Sequence, residues 1–193
     1  MGKRTRAVTV QEYYEMIALM EEGRYSKGSD CNFRANEQIR LAIILETNLG
    51  MRIIDILSLK LNSFFRKDDR YMLNYFIEKK TKKPRAFTVK DEIVDMIRDY
   101  CTKKGINDDE FIFTVKEREV QKYIKKVADY MELDNISTHS FRKLFGTQLY
   151  INNGYDVVLV QTMLQHSSPS VTLRYIDMSD RRIEDAISKH LLI

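Results

Sequence analysis

Residues 61–89 interrupt an otherwise helical chain, and that interruption constrains the fold more than any other feature. Ahead of it the apolar residues keep helical spacing. Thr9-Val10-Gln11-Glu12 reads as a hydroxyl cap followed three residues later by a carboxylate, and Tyr13, Ile17 and Met20 continue on one face until Gly23. A second helix is predicted from about Arg34 to Leu49, with Ile39, Ala42, Ile43 and Leu49 on one stripe and Asn48 and Gly50 as stop signals. A third, shorter one runs from Ile53 to Lys60 through Ile56, Leu57 and Leu59. Residues 61–89 then carry β-branched and aromatic pieces, LNSFF, YMLNYFI and AFTV, with Asp68-Asp69-Arg70 and Lys79–Pro84 between them as turns. That pattern predicts a small three-stranded antiparallel sheet.

Helical spacing resumes at Asp91–Cys101 (Ile93, Met96, Ile97, Tyr100) and closes at Gly105. FIFTV at 111–115 reads as a short strand or a buried turn, and helices follow at about 117–131, 138–152 and 156–164, with a short one near 169–175. Gly154 and Asp156 divide two of these helices, and Ser168-Pro169 supplies a cap with proline at the first helical position. The fold class is therefore α+β, mostly α-helical, with one small sheet. A basic N-terminal tail at 1–8 precedes one domain over 9–178. An amphipathic tail over 179–193 follows, with Ile183, Ile187 and Leu191 four apart.

A length of 193 residues and 44% apolar composition suit one domain with its own core. No apolar run approaches a membrane span, and MGKRTR lacks the apolar segment of a signal peptide. Cys31 and Cys101 stand in no metal-ligand spacing and read as reduced thiols of a cytoplasmic protein. A net charge of +4 points only mildly toward nucleic acid.

The chemistry is concentrated in HSFRKLFGTQLYINNGYDVVLVQTMLQHSSPSVTLRY, residues 139–175. His139 and Arg142 lie three apart on one helix, His166 ends an apolar helix, and Tyr175 closes the short helix after it. Two imidazoles, a permanent cation and a phenol suit the surrounding of a phosphodiester with donors and its attack by a tyrosine.

This run resembles the C-terminal signature of the tyrosine recombinases, the phage integrase family. It has a His-x-x-Arg helix, an apolar helix ending in histidine, and Thr172-Leu173-Arg174-Tyr175 with the tyrosine nine residues after His166. Upstream, NLGMRIIDILSL matches the family's first arginine at Arg52, with Asp55 where glutamate is usual. IEKKTKKPRAFTV matches the lysine-bearing hairpin; Lys80-Thr81 fits best, with Lys82 and Lys83 as rivals. Lys79, Lys82, Lys83, Arg85 and Lys143 are the expected DNA-backbone contacts. Gln165 stands where the family commonly has glycine, and Lys143 where histidine or another basic residue is frequent. Members also carry a helical core-binding domain ahead of the catalytic one, so the resemblance implies a fragment or a short member.

The resemblance implies two sequential transesterifications through a 3′-phosphotyrosine. Tyr175 would be the nucleophile, and Arg52 and Arg142 would clamp the non-bridging oxygens. His139 would hydrogen-bond the phosphate or take the tyrosine proton, His166 would donate to a phosphate oxygen, and Lys80 would protonate the leaving oxygen. No cofactor and no metal are expected. The implied partner is double-stranded DNA, with a homotetramer on paired sites and a monomer without DNA. The tail would either pack back on its own domain or, as the resemblance suggests, dock on a neighbouring protomer. The same residues also suit type IB topoisomerase-like relaxation, and a DNA-binding relative without chemistry is the remaining alternative.

Overall fold

The computed structural model describes residues 5–25, 32–77 and 84–176. Helix α1 (Val10–Glu22) opens on the expected capping box: Thr9 Oγ1 accepts the Glu12 amide at 3.1 Å, and Glu12 returns a carboxylate oxygen to the Thr9 amide at 2.7 Å. Helix α2 (Glu37–Leu49) starts later than its spacing predicts. The Asn36 side chain accepts the Ile39 amide at 3.0 Å, and a residue that caps cannot itself be helical.

Helix α3 (Ile53–Ile56) is shorter than expected. Ser58 turns back to donate to the Asp55 carbonyl at 2.7 Å, and the Leu59 carbonyl accepts the Ile112 amide at 3.0 Å. A bridge between Lys60 and Phe111 completes this pairing, so the chain leaves the helix to meet a segment fifty residues away. That segment, read as strand or buried turn, buries Ile112 and Phe113.

The sheet is the predicted one. Strands β1 (Phe64–Lys67), β2 (Arg70–Ile77) and β3 (Pro84–Val89) lie in the order β1-β2-β3, all antiparallel. Asp68 and Asp69 take φ of 49° and 60°, the left-handed pair that matches the twist of a two-residue hairpin turn. Helices α4 (Asp91–Lys104) and α5 (Glu117–Tyr130) follow, then α6 (Thr138–Asn152), α7 (Val157–Leu164) and α8 (Pro169–Ile176). No helix among the described residues is long and apolar enough to cross a membrane. The tail at 179–193 lies outside the described residues.

Two apolar clusters organise these elements. The larger draws on α1 to α5, the sheet and the inner face of α6, through residues such as Met20, Leu45, Ile56, Leu73, Ile97, Ile124 and Phe141. The smaller joins Tyr150, Val160, Leu164 and Ile176, and packs Phe145, Leu149, Val157 and Tyr175 against them. Helix α6 therefore has one side in each cluster and is the wall between them.

The end of α2 meets that wall closely. Gly50 holds φ +59°, and a Cβ there would stand 2.3 Å from two ring carbons of Phe145. Any larger residue pays for a left-handed backbone and must also displace the ring. Gly50→Ala is expected to lose about 3 kcal/mol from the two effects together. Thermal unfolding followed by circular dichroism should show a midpoint lowered by roughly 6–12 °C.

Candidate active site

Helix α6 presents two of the predicted residues in its first two turns. Its start is set by Ser137, whose amide donates to Ser140 Oγ at 3.0 Å. His139, in the first turn, is exposed, while Arg142, one turn on, is only 2% exposed. The two therefore occupy the rim and the floor of one face rather than equivalent positions.

The Arg142 guanidinium donates through Nη2 to the Leu164 carbonyl at 2.7 Å. That carbonyl belongs to the last turn of α7 and has no partner within its own helix, so Arg142 caps α7 from across the smaller cluster. The same helix end positions His166. Gln165 turns left-handed (φ 52°, ψ 41°), its amide returns to Thr162 at 3.1 Å, and the His166 amide returns to Gln161 at 3.0 Å. This pair of bonds is a Schellman closure with His166 as the residue that follows the left-handed position.

A buried hydroxyl then fixes the imidazole. His166 Nδ1 lies 3.1 Å from Oγ1 of Thr172, a fully buried residue of α8 that also reaches the Ser168 carbonyl at 3.4 Å. Three residues further along α8, the Tyr175 ring meets His166 edge to face with centroids 4.8 Å apart. Thr147 on α6 holds the far end of α8 by donating to the Ile176 carbonyl at 3.1 Å.

The Tyr175 hydroxyl is buried without a well-aligned hydrogen-bond partner. Burial pushes its pKa well above the ordinary tyrosine value; Arg142 and Arg52 oppose that shift, and Glu46 adds to it. The phenol thus lies within the electrostatic reach of both predicted arginines. Arg52 enters from the N-cap of α3, half-buried. Lys143, expected as a backbone contact, is instead 5% exposed, with Nζ 5.4 Å from the centre of the Tyr175 ring. Its long stem packs inward and leaves its charge beside the phenol.

The structure therefore brings Arg52, Arg142, His166 and Tyr175 together and sets His139 at the rim. Lys79, Lys80, Lys82 and Lys83 lie outside the described residues, and Arg85 falls in β3. Of the cysteines, Cys101 is a buried free thiol and Cys31 lies outside the described residues.

Sequence reasoning missed Glu46. It sits in the last turn of α2, 1% exposed, and its carboxyl takes a hydrogen bond from the Ile53 amide. The signal was present: position 46 falls on the stripe of Ile39, Ala42, Ile43 and Leu49, where a charge is out of place.

A model of the family described as "Phage integrase family" matches residues 7–182. The chain belongs to the phage integrase family. Among its relatives is the probable integrase/recombinase YoeC of Bacillus subtilis, 32% identical over 152 residues, covering 75% of this chain and 80% of that protein. The tyrosine recombinase XerC of Caldanaerobacter subterraneus is 24% identical over 187 residues, covering 91% of this chain and 51% of XerC. A transposase B of a Staphylococcus aureus transposon is matched over only 26% of its length. The same fold occurs in the XerH recombinase on a palindromic difH substrate in a post-cleavage complex (TM-score 0.71, 21% identity, 97% of this chain and 54% of that one). It occurs also in the catalytic domain of bacteriophage HP1 integrase (TM-score 0.62, 18% identity, 97% and 96%). The chain thus spans about half of the XerC and XerH chains.

Two expectations follow from this geometry. A non-glycine residue in the left-handed region costs about 1–2 kcal/mol, and Gln165 holds that conformation at the end of α7. Gln165→Gly should therefore raise the unfolding free energy by about 1 kcal/mol in a urea titration, part of the relief being returned as unfolded-state entropy.

Glu46 makes stability depend on pH. Burial raises its carboxyl pKa well above 4.5, with Arg142 and the Ile53 amide opposing and Glu117 adding to the shift. The unfolded chain releases this proton near its ordinary value, and the folded chain holds it to higher pH. The contribution is thus present below the unfolded pKa and is lost as pH rises through the folded one. Glu46→Gln cannot ionise, so its melting point should exceed that of the native protein at pH 8 but not at pH 4.

Proposed function

We propose that this chain is the catalytic part of a site-specific DNA recombinase that cleaves and rejoins strands through a 3′-phosphotyrosyl bond at Tyr175. The observation that carries the reading is the convergence on one phenol of Arg52, Arg142 and His166, from three different helix ends. A phosphodiester in the space beside Tyr175 would place its non-bridging oxygens against two guanidinium groups. Those groups match the charge that develops as phosphorus becomes five-coordinate, and they supply it without a metal ion. The Tyr175 oxygen attacks phosphorus, the P–O5′ bond breaks, and the leaving oxygen takes a proton, a role we assign to Lys80. Attack by a 5′-hydroxyl reverses the step and restores Tyr175. The phosphodiester energy is retained in the enzyme-linked bond, so no nucleotide is consumed.

The resting phenol is not poised for this chemistry. Its raised pKa means that the proton leaves only when the approaching phosphate and its cations lower the cost of charge on oxygen. His139, exposed on the rim, is placed for a ligand that arrives from solvent. We assign it to the phosphate or to the phenol proton. His166 we assign to a phosphate oxygen, its Nδ1 being engaged by Thr172. Lys79, Lys82, Lys83 and Arg85 are proposed contacts to the DNA backbone. A tetramer on paired sites, joined through the tail at 179–193, is the proposed assembly. The recombinase, integrase and transposase relatives favour this reading over a type IB topoisomerase.

A nicked suicide duplex, from which the 5′-hydroxyl strand diffuses away after cleavage, tests the reading. Native protein should accumulate a covalent protein–DNA adduct resolved on a denaturing gel. Tyr175→Phe should bind the same duplex and form none. Absence of adduct from both proteins, with binding demonstrated, would sink the enzymatic reading in favour of a DNA-binding relative.

A further inference from the structure

Glu46 and Asp55 are both acidic side chains that the fold buries close to Arg52, and of the two it is Glu46 that faces Arg142 and Tyr175 as well. Glu46 stands on the buried stripe of α2, where Ile39, Ala42, Ile43 and Leu49 are all buried. An apolar side chain at that place would avoid the cost of drying a carboxyl group. The cost is not fully offset, because Glu46 Oε2 is buried without a hydrogen-bond partner. What the carboxyl does gain is the Ile53 amide.

That amide is the first of α3, the helix whose N-cap is Arg52. The Arg52 side chain makes no capping bond of its own, and its carbonyl begins the helix by accepting the Asp55 and Ile56 amides at 2.8 and 3.0 Å. The Ile53 amide therefore depends on a partner from elsewhere, and Glu46 supplies it. Across the α2–α6 contact the same carboxyl lies in the field of Arg142, which is itself tied to Leu164. One buried group thus touches the turn that presents the first arginine and faces the second.

We propose that Glu46 is a positioning residue that holds the Arg52-bearing turn in register with Arg142 by accepting the Ile53 amide. The role rests on the recombinase reading above. It acts through Arg52 and not on DNA, so it belongs to the cleavage step at bound duplex. Duplex affinity comes from many phosphate contacts and is insensitive to one misplaced guanidinium.

Three variants separate the contact from mere packing. Glu46→Met keeps the side-chain length and removes the acceptor. Glu46→Asp keeps a carboxylate but withdraws it by one methylene. Glu46→Gln retains an oxygen for the amide. In single-turnover adduct formation at saturating suicide duplex, Met and Asp should each slow the reaction at least ten-fold, with duplex affinity within three-fold of native. Gln should recover most of the lost rate. If Met fails to fold, as judged by its melting curve, the Asp and Gln pair carries the comparison. Native rates in Asp, or a Gln variant as slow as Asp, overturn the proposal.

A second measurement needs no activity. Hydrogen exchange at the Ile53 amide, followed by NMR in the protein without DNA, should be protected in native and Gln proteins and accelerated in Met and Asp. Unchanged protection in Asp overturns the contact itself. If exchange behaves as expected and native protein forms no adduct, it is the recombinase reading that has failed and not the placement of Arg52 by Glu46.

Discussion

The bond from Arg142 to the Leu164 carbonyl is the contact on which the arrangement of this site depends. A guanidinium in the middle of an apolar wall is costly unless its donors are used, and here one of them closes the end of α7. That end is also where the chain reverses through Gln165 to deliver His166. Arg142 and His166 are therefore parts of one local structure, although they lie 24 residues apart in sequence. Displacing α7 would move both, and with them the packing beneath Tyr175.

Around that contact the protein separates stability from chemistry. The large cluster holds α1 to α5 and the sheet, and it fixes α2 and α3 and therefore Arg52. The small cluster holds α7 and α8, and it carries His166 and Tyr175. Few apolar side chains join the small cluster, so α8 relies on particular polar bonds: Thr172 to Ser168 and His166, and Thr147 to the Ile176 carbonyl. A phenol carried on a lightly packed helix can shift at small cost, whereas Arg52 stands on elements held by the larger cluster.

Much of this was legible in the sequence because it depends on local rules. The capping box at Thr9, the paired aspartates of the hairpin and the Asp156 cap each act within a few residues, and each appears where the pattern places it. The motif spacing from His139 to Tyr175 likewise survives, because short helices and tight turns give it a definite geometry. What was not legible depends on partners distant in sequence. The chain ends α3 early to pair with residues near 111, which no periodicity in residues 53–60 announces. Lys143 looked like a surface cation beside Arg142, yet α8 docks over it and its ammonium lies against the Tyr175 ring. Glu46 is the opposite case: its place on an apolar stripe is visible in the sequence, but the backbone amide it meets belongs to the next helix and is not.

Glu46 and Lys143 together bear on how the phenol is held before a substrate arrives. Both are buried, they carry opposite formal charges, and both lie close enough to Tyr175 to act on it. A carboxyl group near the phenol disfavours the phenolate, whereas an ammonium favours it. The burial that raises the Glu46 pKa disfavours its charged form, which leaves the Arg142 and Arg52 guanidinium groups as the cationic surround of the phenol. Such a surround attracts a phosphodiester and would stabilise charge on oxygen once the diester is in place. In the free protein the phenol keeps its proton because it is dry. The site thus sets fixed guanidinium cations beside a phenol that keeps its proton, an arrangement that follows from where each group is buried.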